Sequence, residues 1–314
     1  MTTVSDPLVS VLIPCFNGGR FIEQTLRSVL SQDYQRIEVI VVDDGSTDNS
    51  AAIVRQFPAV KLIQQPNAGV TTARNVALAH AHGDFIQYLD ADDLLSVDKI
   101  SRQIRRLIGN ETCIATAEWS RFYLDPSEAR FVADATWADL APLDWLASSN
   151  ESGLNMMYPA LWLIPRGIVE QAGPWKAELS RAPGEDMEYF TRIVLKSSRV
   201  LFCAGARTYY RSGIGGASGS KDFGSQAKVY ELCQRHVLDS EDSERMRMAF
   251  AKSWQHLAFL SYPYDRPVAL EALKRARALH PITIKPTGGP VFTATSALFG
   301  WKFARRMQRW TGRS

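Results

Sequence analysis

Apolar residues in the first third of the chain fall into short uninterrupted runs separated by stretches with helical spacing. Val9 to Ile13 is a β-branched run ended by Pro14. Ile37 to Val42, Val60 to Ile63, and Phe85, Ile86, Tyr88 and Leu89 repeat the pattern. Runs of that length without polar alternation suit strands buried on both faces of a parallel sheet. Between the first two, Phe21, Ile22, Thr25, Leu26, Val29 and Leu30 share one helical face. A second helix, capped by Ser46 or Asp48, is expected to reach Phe57. Asn67-Ala68-Gly69 then turns the chain into a third, containing Thr72, Arg74 and Asn75. Strands alternating with helices predict an α/β fold built on a doubly wound, mostly parallel sheet, a Rossmann-like nucleotide-binding half. No GxGxxG follows the first strand, so the dinucleotide fingerprint is absent.

The polar positions that break this pattern are acidic. Asp43 and Asp44 end the second run, and Asp90, Asp92 and Asp93 end the fourth. A buried strand does not tolerate unpaired carboxylates, so these belong just beyond strand carboxyl ends, where open α/β sheets bind ligands. In extended chain Asp90 and Asp92 point the same way. They form a hard, oxygen-rich site suited to Mg²⁺ or Mn²⁺ carrying a diphosphate. The plainer reading is structural: Asp92 or Asp93 caps a helix from Leu94 to Ile108, and Asp43 and Asp44 serve a turn and a cap. Arg74 is either an exposed helix arginine or a guanidinium serving a carboxylate and a phosphate together.

Later in the chain, Met187, Phe190, Ile193 and Val194 are spaced as a helix whose N-terminus carries Glu185 and Asp186, a placement that helix-dipole complementation alone would explain. Of Trp137, Trp145, Trp162 and Trp175, the first three read as core, as most tryptophans do. Residues 226–238, 243–260 and 268–280 read as helices. Phe292, Phe299, Phe303 and Trp310 are spaced by seven, four and seven, one helical face, flanked by Lys302, Arg305, Arg309 and Arg313. That is the pattern of a helix lying in an anionic membrane surface, or of one docking its aromatic stripe on the core or on a second subunit.

Composition narrows the class. With 314 residues, 46% hydrophobic and 22% charged, the chain is an ordinary globular protein with a substantial core. A net charge of +3 gives no field that would recruit nucleic acid. Four scattered cysteines supply neither a zinc site nor a disulfide framework and fit a reducing compartment. No signal peptide and no uncharged run of the roughly 18–20 residues a spanning helix needs is evident. A cytoplasmic location is expected, with the basic tail touching the inner membrane face.

Taken in order, Val9–Asn17, Asp43-Asp44-Gly45-Ser46-Thr47-Asp48, Asn67-Ala68-Gly69 with Ala73-Arg74-Asn75, and Asp90-Ala91-Asp92 closely resemble the family 2 glycosyltransferases, inverting enzymes with the GT-A fold. The resemblance is dense from Val9 to Arg106, looser to about Ser220, and fades beyond. It implies a GT-A domain over residues 1–220, with a nucleotide-sugar half (1–110) and an acceptor half (111–220), and a helical extension over 221–314. By the same resemblance, Asp44 contacts the base with Asp43 supporting it, Pro14 and Phe16 wall the base pocket, and Arg74 meets the nucleotide. Asp90-Ala91-Asp92 becomes the DXD motif, with Asp92 on the metal and Asp90 on ribose or a metal-bound water. Gly173-Pro174-Trp175 precedes the acidic pair as it does in the family, which makes Asp186 the general base and places Glu185 and Trp175 with the acceptor.

The implied reaction moves a sugar from a nucleoside-diphosphate donor, UDP by the family's habit, to a hydroxyl of a glycan or lipid-linked acceptor, with Mg²⁺ or Mn²⁺ assisting departure. Two departures stand out. No histidine follows Tyr209-Tyr210-Arg211, which leaves Arg211 and the loop Ser212-Gly213-Ile214-Gly215-Gly216 to face the diphosphate. No QxxRW is present either, which favours one sugar per encounter over processive synthesis. A nucleotidyltransferase on a related sheet and a catalytically silent nucleotide- or glycan-binding scaffold remain the alternatives. The loop Pro14 to Arg20 fits the first poorly, and intact Asp90, Asp92 and Asp186 argue against the second.

Overall fold

The computed structural model describes residues 6–151, 157–213, 220–281 and 289–311. In chain order the first elements are β1 (Val9–Cys15), α1 (Ile22–Leu30), β2 (Ile37–Asp43), α2 (Ser50–Val54), β3 (Val60–Gln64), α3 (Val70–Ala79) and β4 (Phe85–Tyr88). β1 pairs in parallel with both β2 and β4, and β2 pairs in parallel with β3. Every residue of β1 and β4 is buried, as their unbroken apolar runs require.

The next elements are β5 (Leu94–Leu95), α4 (Lys99–Leu107), β6 (Cys113–Phe122), α5 (Pro142–Glu151), β7 (Ile164–Pro165), α6 (Arg166–Ala172), α7 (Glu185–Lys196) and β8 (Arg199–Arg211). β7 closes the first sheet antiparallel to β4, giving the order β3-β2-β1-β4-β7. A second sheet has the order β5-β8-β6. The α/β class and the mostly parallel sheet are therefore as the patterning predicts.

The helix expected from Leu94 starts instead at Lys99, because Leu94 and Leu95 pair with Tyr209 and Thr208 of β8. Neither Asp92 nor Asp93 therefore caps it. Asp93 is buried, and its Oδ1 accepts the Arg211 backbone N–H at 2.9 Å. Nor does a side chain of Ser46 or Asp48 cap α2 at its N-cap position, which is Asn49. Asp48 instead accepts from Gly19 N and Ser50 N, both at 2.9 Å, tying the loop after β1 to the loop after β2.

The chain divides into two compact units. The first comprises Met1–Leu146, Met156–Arg181 and Glu185–Ala217, and the second Ala147–Asn155, Ala182–Gly184 and Ser218–Ser314. Within the second, α8 (Phe223–Ser240), α9 (Glu244–Ser261) and α10 (Arg266–Leu279) follow the expected helical segments, with α9 the most apolar. Two further helices, α11 (Pro290–Phe299) and α12 (Trp301–Thr311), close this unit. The aromatic stripe read as one helical face is broken between them at Gly300, whose φ of +80° a side chain rarely adopts. Phe292 is buried while Phe299 and Phe303 are exposed. Ile214-Gly215-Gly216, Arg313 and the side chains of Arg309 and Trp310 lie outside the described residues. Among the described residues no helix is long and apolar enough to cross a membrane.

Candidate active site

The carboxyl ends of β1, β2 and β4 lie side by side, so the loops that leave them share one edge of the sheet. Asp43 ends β2 buried, with its oxygens accepting Ser46 N at 3.1 Å and Gln64 Nε2 at 3.0 Å. Asp44 is buried as well. Its Oδ1 accepts Ala68 N at 2.8 Å and Gln65 Nε2 at 2.6 Å, and its Oδ2 accepts Gly69 N at 2.8 Å. The pair thus shapes the turn into α3.

Two glycines make that turn feasible. A Cβ on Gly45 (φ +76°) would sit 2.8 Å from Asn67 N, and one on Gly69 (φ +90°) would sit 2.2 Å from Ser180 Oγ. Pro14 is buried in β1, whereas Phe16 beyond it is 53% exposed. Those two residues therefore differ in availability to a ligand.

α3 brings up Arg74, which is 2% exposed. Its guanidinium donates to Asp90 Oδ1 at 2.8 Å and to Glu185 Oε1 at 3.0 Å. It also lies 4.3 Å from the Trp175 ring centroid. Burial by itself would lower its proton affinity, but Asp90 and Glu185 outweigh burial and hold the charge firmly. The exposed-helix reading of Arg74 therefore fails. Asp90 and Glu185 come from distant parts of the chain, and one buried cation holds them together.

Glu185 and Asp186 open α7, whose N-terminal dipole favours them. Burial first, and Glu185 second, push the Asp186 carboxyl up from 3.8 to about 8, with Arg74 opposing and Asp90 adding to the rise. Burial likewise raises Glu185, against the pull of Arg74. Asp92 is pushed up to about 6 by burial and then by Asp90. Asp93 is raised well above its usual range by burial and by both neighbouring carboxylates, and its Oδ2 is buried without a hydrogen-bond partner.

Five acids, Asp90, Asp92, Asp93, Glu185 and Asp186, crowded beside few cations favour bringing positive charge to the site. Asp90 and Asp92 are hard oxygen donors of the kind Mg²⁺ and Mn²⁺ take, since such ions keep several waters and substrate phosphates and need only one or two protein carboxylates. The repulsion raising Asp92 and the orphaned oxygen of Asp93 fit a cation at this point. Among the described residues no three His, Cys, Asp or Glu side chains converge on one metal position. A protein-only cage is therefore not what the site offers.

Trp175 departs from its expected role. It is 2% exposed, stacked on Tyr189 with centroids 3.8 Å apart, and covered on the ring by Arg74. No open indole face is left for a sugar. Trp145 and Trp162 pack edge to face at 4.9 Å in the core, as patterning suggested.

Sequence reasoning missed the residues that set these groups in place. Asn75 donates its Nδ2 to Trp175 O at 2.8 Å and accepts Trp175 N at 2.9 Å. Ser180 Oγ accepts Thr71 N at 3.0 Å, so the segment ahead of α7 is anchored on α3. Asn75 stands next to Arg74 in the motif and could have been found there. Ser180, Gln64 and Gln65 give no sequence signal of their own.

A mostly parallel sheet with acids after β2 and β4 and an appended second sheet is the GT-A arrangement, and here an arginine joins the acid after β4 to a second acidic pair. Residues 10–159 match the family described as Glycosyl transferase family 2. GlyA, a glycosyltransferase of Streptococcus pneumoniae, is 31% identical over 281 residues, 84% of this chain and 37% of its own length. The chain spans well under two thirds of the first curated relatives it matches, 57% of one and 12% of another.

Among solved structures, residues 1–349 of TarS from S. aureus in complex with UDP superpose with a TM-score of 0.69 at 18% identity, over 97% of this chain and 92% of that one. The mannosyltransferase PcManGT of Pyrobaculum calidifontis, solved with GDP-Man and Mn²⁺, gives 0.57 at 18% identity, over 99% and 89%. Residues 10–159 belong to glycosyl transferase family 2.

Proposed function

We propose that the protein transfers a sugar from a nucleoside-diphosphate donor, UDP in the first instance, to a hydroxyl of a growing glycan or lipid-linked acceptor, inverting the anomeric centre. The observation that carries this reading is Arg74 bonded at once to Asp90 and to Glu185, because it gathers the donor-side and acceptor-side acids around one charge. Asp186 would accept the proton of the attacking hydroxyl. A carboxyl raised to about 8 has the basicity for that task once ionised. Attack by a hydroxyl directly opposite the departing diphosphate is a single displacement, hence the inversion.

For the donor, Asp44 has three of its four lone-pair positions filled, leaving one on Oδ2 for an N–H of the base. Asp43, bonded on both oxygens, would hold that geometry, and exposed Phe16 is free to cover the base. Asp92 and Asp90 would hold Mg²⁺ or Mn²⁺. When bound, the cation neutralises charge gathering on the nucleoside diphosphate as it leaves. A structural relative bound to UDP and another bound to GDP-Man and Mn²⁺ support a nucleotide-sugar donor and a divalent ion without choosing the base.

The C-terminal helices support contact with an anionic membrane. Val291, Leu298, Phe299 and Phe303 are exposed apolar residues, and Lys302 and Arg306 stand exposed beside them. A lipid-linked acceptor at that surface would be delivered to the enzyme in two dimensions.

The test is a screen of nucleotide sugars for slow donor hydrolysis, with and without Mn²⁺. Under this reading one donor is hydrolysed in a metal-dependent way. Conversion of a nucleotide sugar to nucleoside triphosphate and sugar 1-phosphate when pyrophosphate is added would point to a nucleotidyltransferase, and no turnover of any donor to a silent scaffold.

A further inference from the structure

A cavity of about 310 Å³ opens in the first unit where β6 and β8 end, and of its lining only Arg211, Ser212 and Gly213 carry an earlier expectation, as groups facing the diphosphate. Its lining includes Arg20, Phe21, Gln24, Tyr123, Leu124 and Arg211. Arg211 is buried and rigidly held. Its Nε donates to the Asp92 carbonyl at 2.9 Å and one terminal nitrogen to Gln24 Oε1 at 2.5 Å, both neutral acceptors. The guanidinium lies 4.4 Å from the Phe122 ring centroid and 4.6 Å from that of Phe21. Arg20 approaches the same Phe21 ring at 5.1 Å.

Two guanidiniums thus flank one aromatic ring. Among the described residues neither has a carboxylate oxygen within the 4.0 Å of an ion pair. An oxyanion placed between the two guanidiniums would relieve their mutual repulsion and accept from both forks.

The other wall is apolar and open. Tyr123 is 58% exposed and Leu124 76%, and the turn that carries them is pinned by Glu128, which accepts both of their backbone N–H groups. Paired cations beside an exposed aromatic and an exposed aliphatic side chain match a ligand that is anionic at one point and apolar next to it. The base of the donor is assigned above to Asp44 and Phe16, which leaves Tyr123 and Leu124 to another ligand.

We propose that this cavity is an acceptor subsite that receives a phosphate ester of an apolar group, with Arg20 and Arg211 on the phosphate and Tyr123 and Leu124 on the apolar part. The inference rests on the reading that the neighbouring Asp90 and Asp92 hold the donor. It makes the acceptor an anionic amphiphile, and it gives Arg20 a specificity role that its exposed loop position does not announce.

Phenyl phosphate is the probe, titrated into the full chain by ligand-observed NMR, alone and with UDP and Mg²⁺ at saturation. It is expected to bind with the nucleotide present, about tenfold more weakly to Arg20→Gln and to Tyr123→Ala, as loss of one charge-assisted contact or one ring face implies. The neutral phenyl β-glucoside should bind no better to the wild type than to Arg20→Gln. Both substituted side chains are exposed, so folding is not at stake.

Equal affinity of phenyl phosphate for wild type and Arg20→Gln would overturn the proposal as an adventitious contact. Displacement of phenyl phosphate by UDP and Mg²⁺ would assign the cavity to the donor's own diphosphate and overturn it too. Failure of UDP and Mg²⁺ to raise the melting temperature would instead strike the donor reading, and the acceptor assignment with it.

Discussion

Arg74 and Glu185 are 111 residues apart in the chain and joined at 3.0 Å in the folded protein. The bond cannot form until α3 and the start of α7 are both in place, so it couples the order of α3 to that of α7. Removing the cation leaves Asp90 and Glu185 facing each other without compensation and uncovers the Trp175 ring. Arg74→Ala is expected to destabilise the protein by about 3 kcal/mol, the scale for orphaning a buried charge. Arg74→Lys should recover only part of that, because one ammonium does not span both carboxylates with the geometry of a fork. Urea unfolding midpoints of the three proteins check it, and an unchanged midpoint for Arg74→Ala would show that the bridge carries no stability.

Asp186 should control rate without controlling donor binding. Asp186→Asn keeps the shape of the residue and removes its basicity, so transfer should fall by about 10²–10⁴-fold. The rise in melting temperature caused by nucleoside diphosphate and metal should persist. Single-turnover transfer and thermal shift, measured on one preparation, separate the two effects. Transfer at the normal rate would mean that another group takes the proton.

The same carboxyl makes a prediction about pH. Asp186 is raised from 3.8 to about 8 by burial and Glu185, with Asp90 adding and Arg74 and the Met187 N–H opposing. The folded state therefore holds a proton that the unfolded state releases above pH 4. The associated stability is complete below that pH and is lost as pH rises through about 8. The ligand-free wild type should melt progressively lower from pH 5 to 8.5. Asp186→Asn should lose less over that range, by on the order of 1–3 kcal/mol.

How much of this was legible beforehand depends on whether a residue acts alone or through distant partners. The strands were readable because β1, β2 and β4 are buried on both faces, which forces unbroken apolar runs. The acids after β2 and β4 stood out because carboxylates are conspicuous after such runs. What failed depended on partners that no local pattern reveals. Leu94 and Leu95 look like the start of a helix and become a strand only because β8 offers a free edge. Asp93 looks like a cap and is instead an acceptor for Arg211, 118 residues away. Trp175 looked like a sugar platform until Arg74 and Tyr189 were seen to occupy its faces.

Asp92 should decide metal dependence. Asp92→Asn removes a carboxylate from the pair with Asp90, and with it the charge that burial first and Asp90 second disfavour, the two causes that hold Asp92 at about 6. The variant should be folded and at least as stable as the wild type without ligand. Its melting temperature should rise less with UDP and Mn²⁺, consistent with an affinity loss of about tenfold or more, the scale for perturbing one metal contact. Thermal shift with Mn²⁺ and with EDTA is the comparison. If the wild type responds equally to UDP in both, the pair is not a cation site.

The last two helices offer the sharpest test of where the protein works. Trp301 packs against Phe259 at 4.7 Å and Tyr262 at 5.2 Å, and Phe292 and Ala304 are buried, so α11 and α12 are fastened to their own unit. Docking on the core therefore accounts for part of the aromatic stripe. It does not account for Leu298, Phe299 and Phe303, which remain exposed around the bend at Gly300. Deleting everything from Val291 would strip Trp301 from α9 and confound membrane loss with unfolding. The double substitution Phe299→Ser and Phe303→Ser removes only exposed surface. With Lys302 and Arg306 each worth about 1 kcal/mol at an anionic surface, the wild type should co-sediment with phosphatidylglycerol vesicles and bind neutral phosphatidylcholine about 30-fold more weakly. The double variant should lose most of the remaining affinity, since insertion of the two rings supplies the apolar part of binding. Equal sedimentation of wild type and double variant would mean that this surface faces a protein partner or solvent rather than lipid.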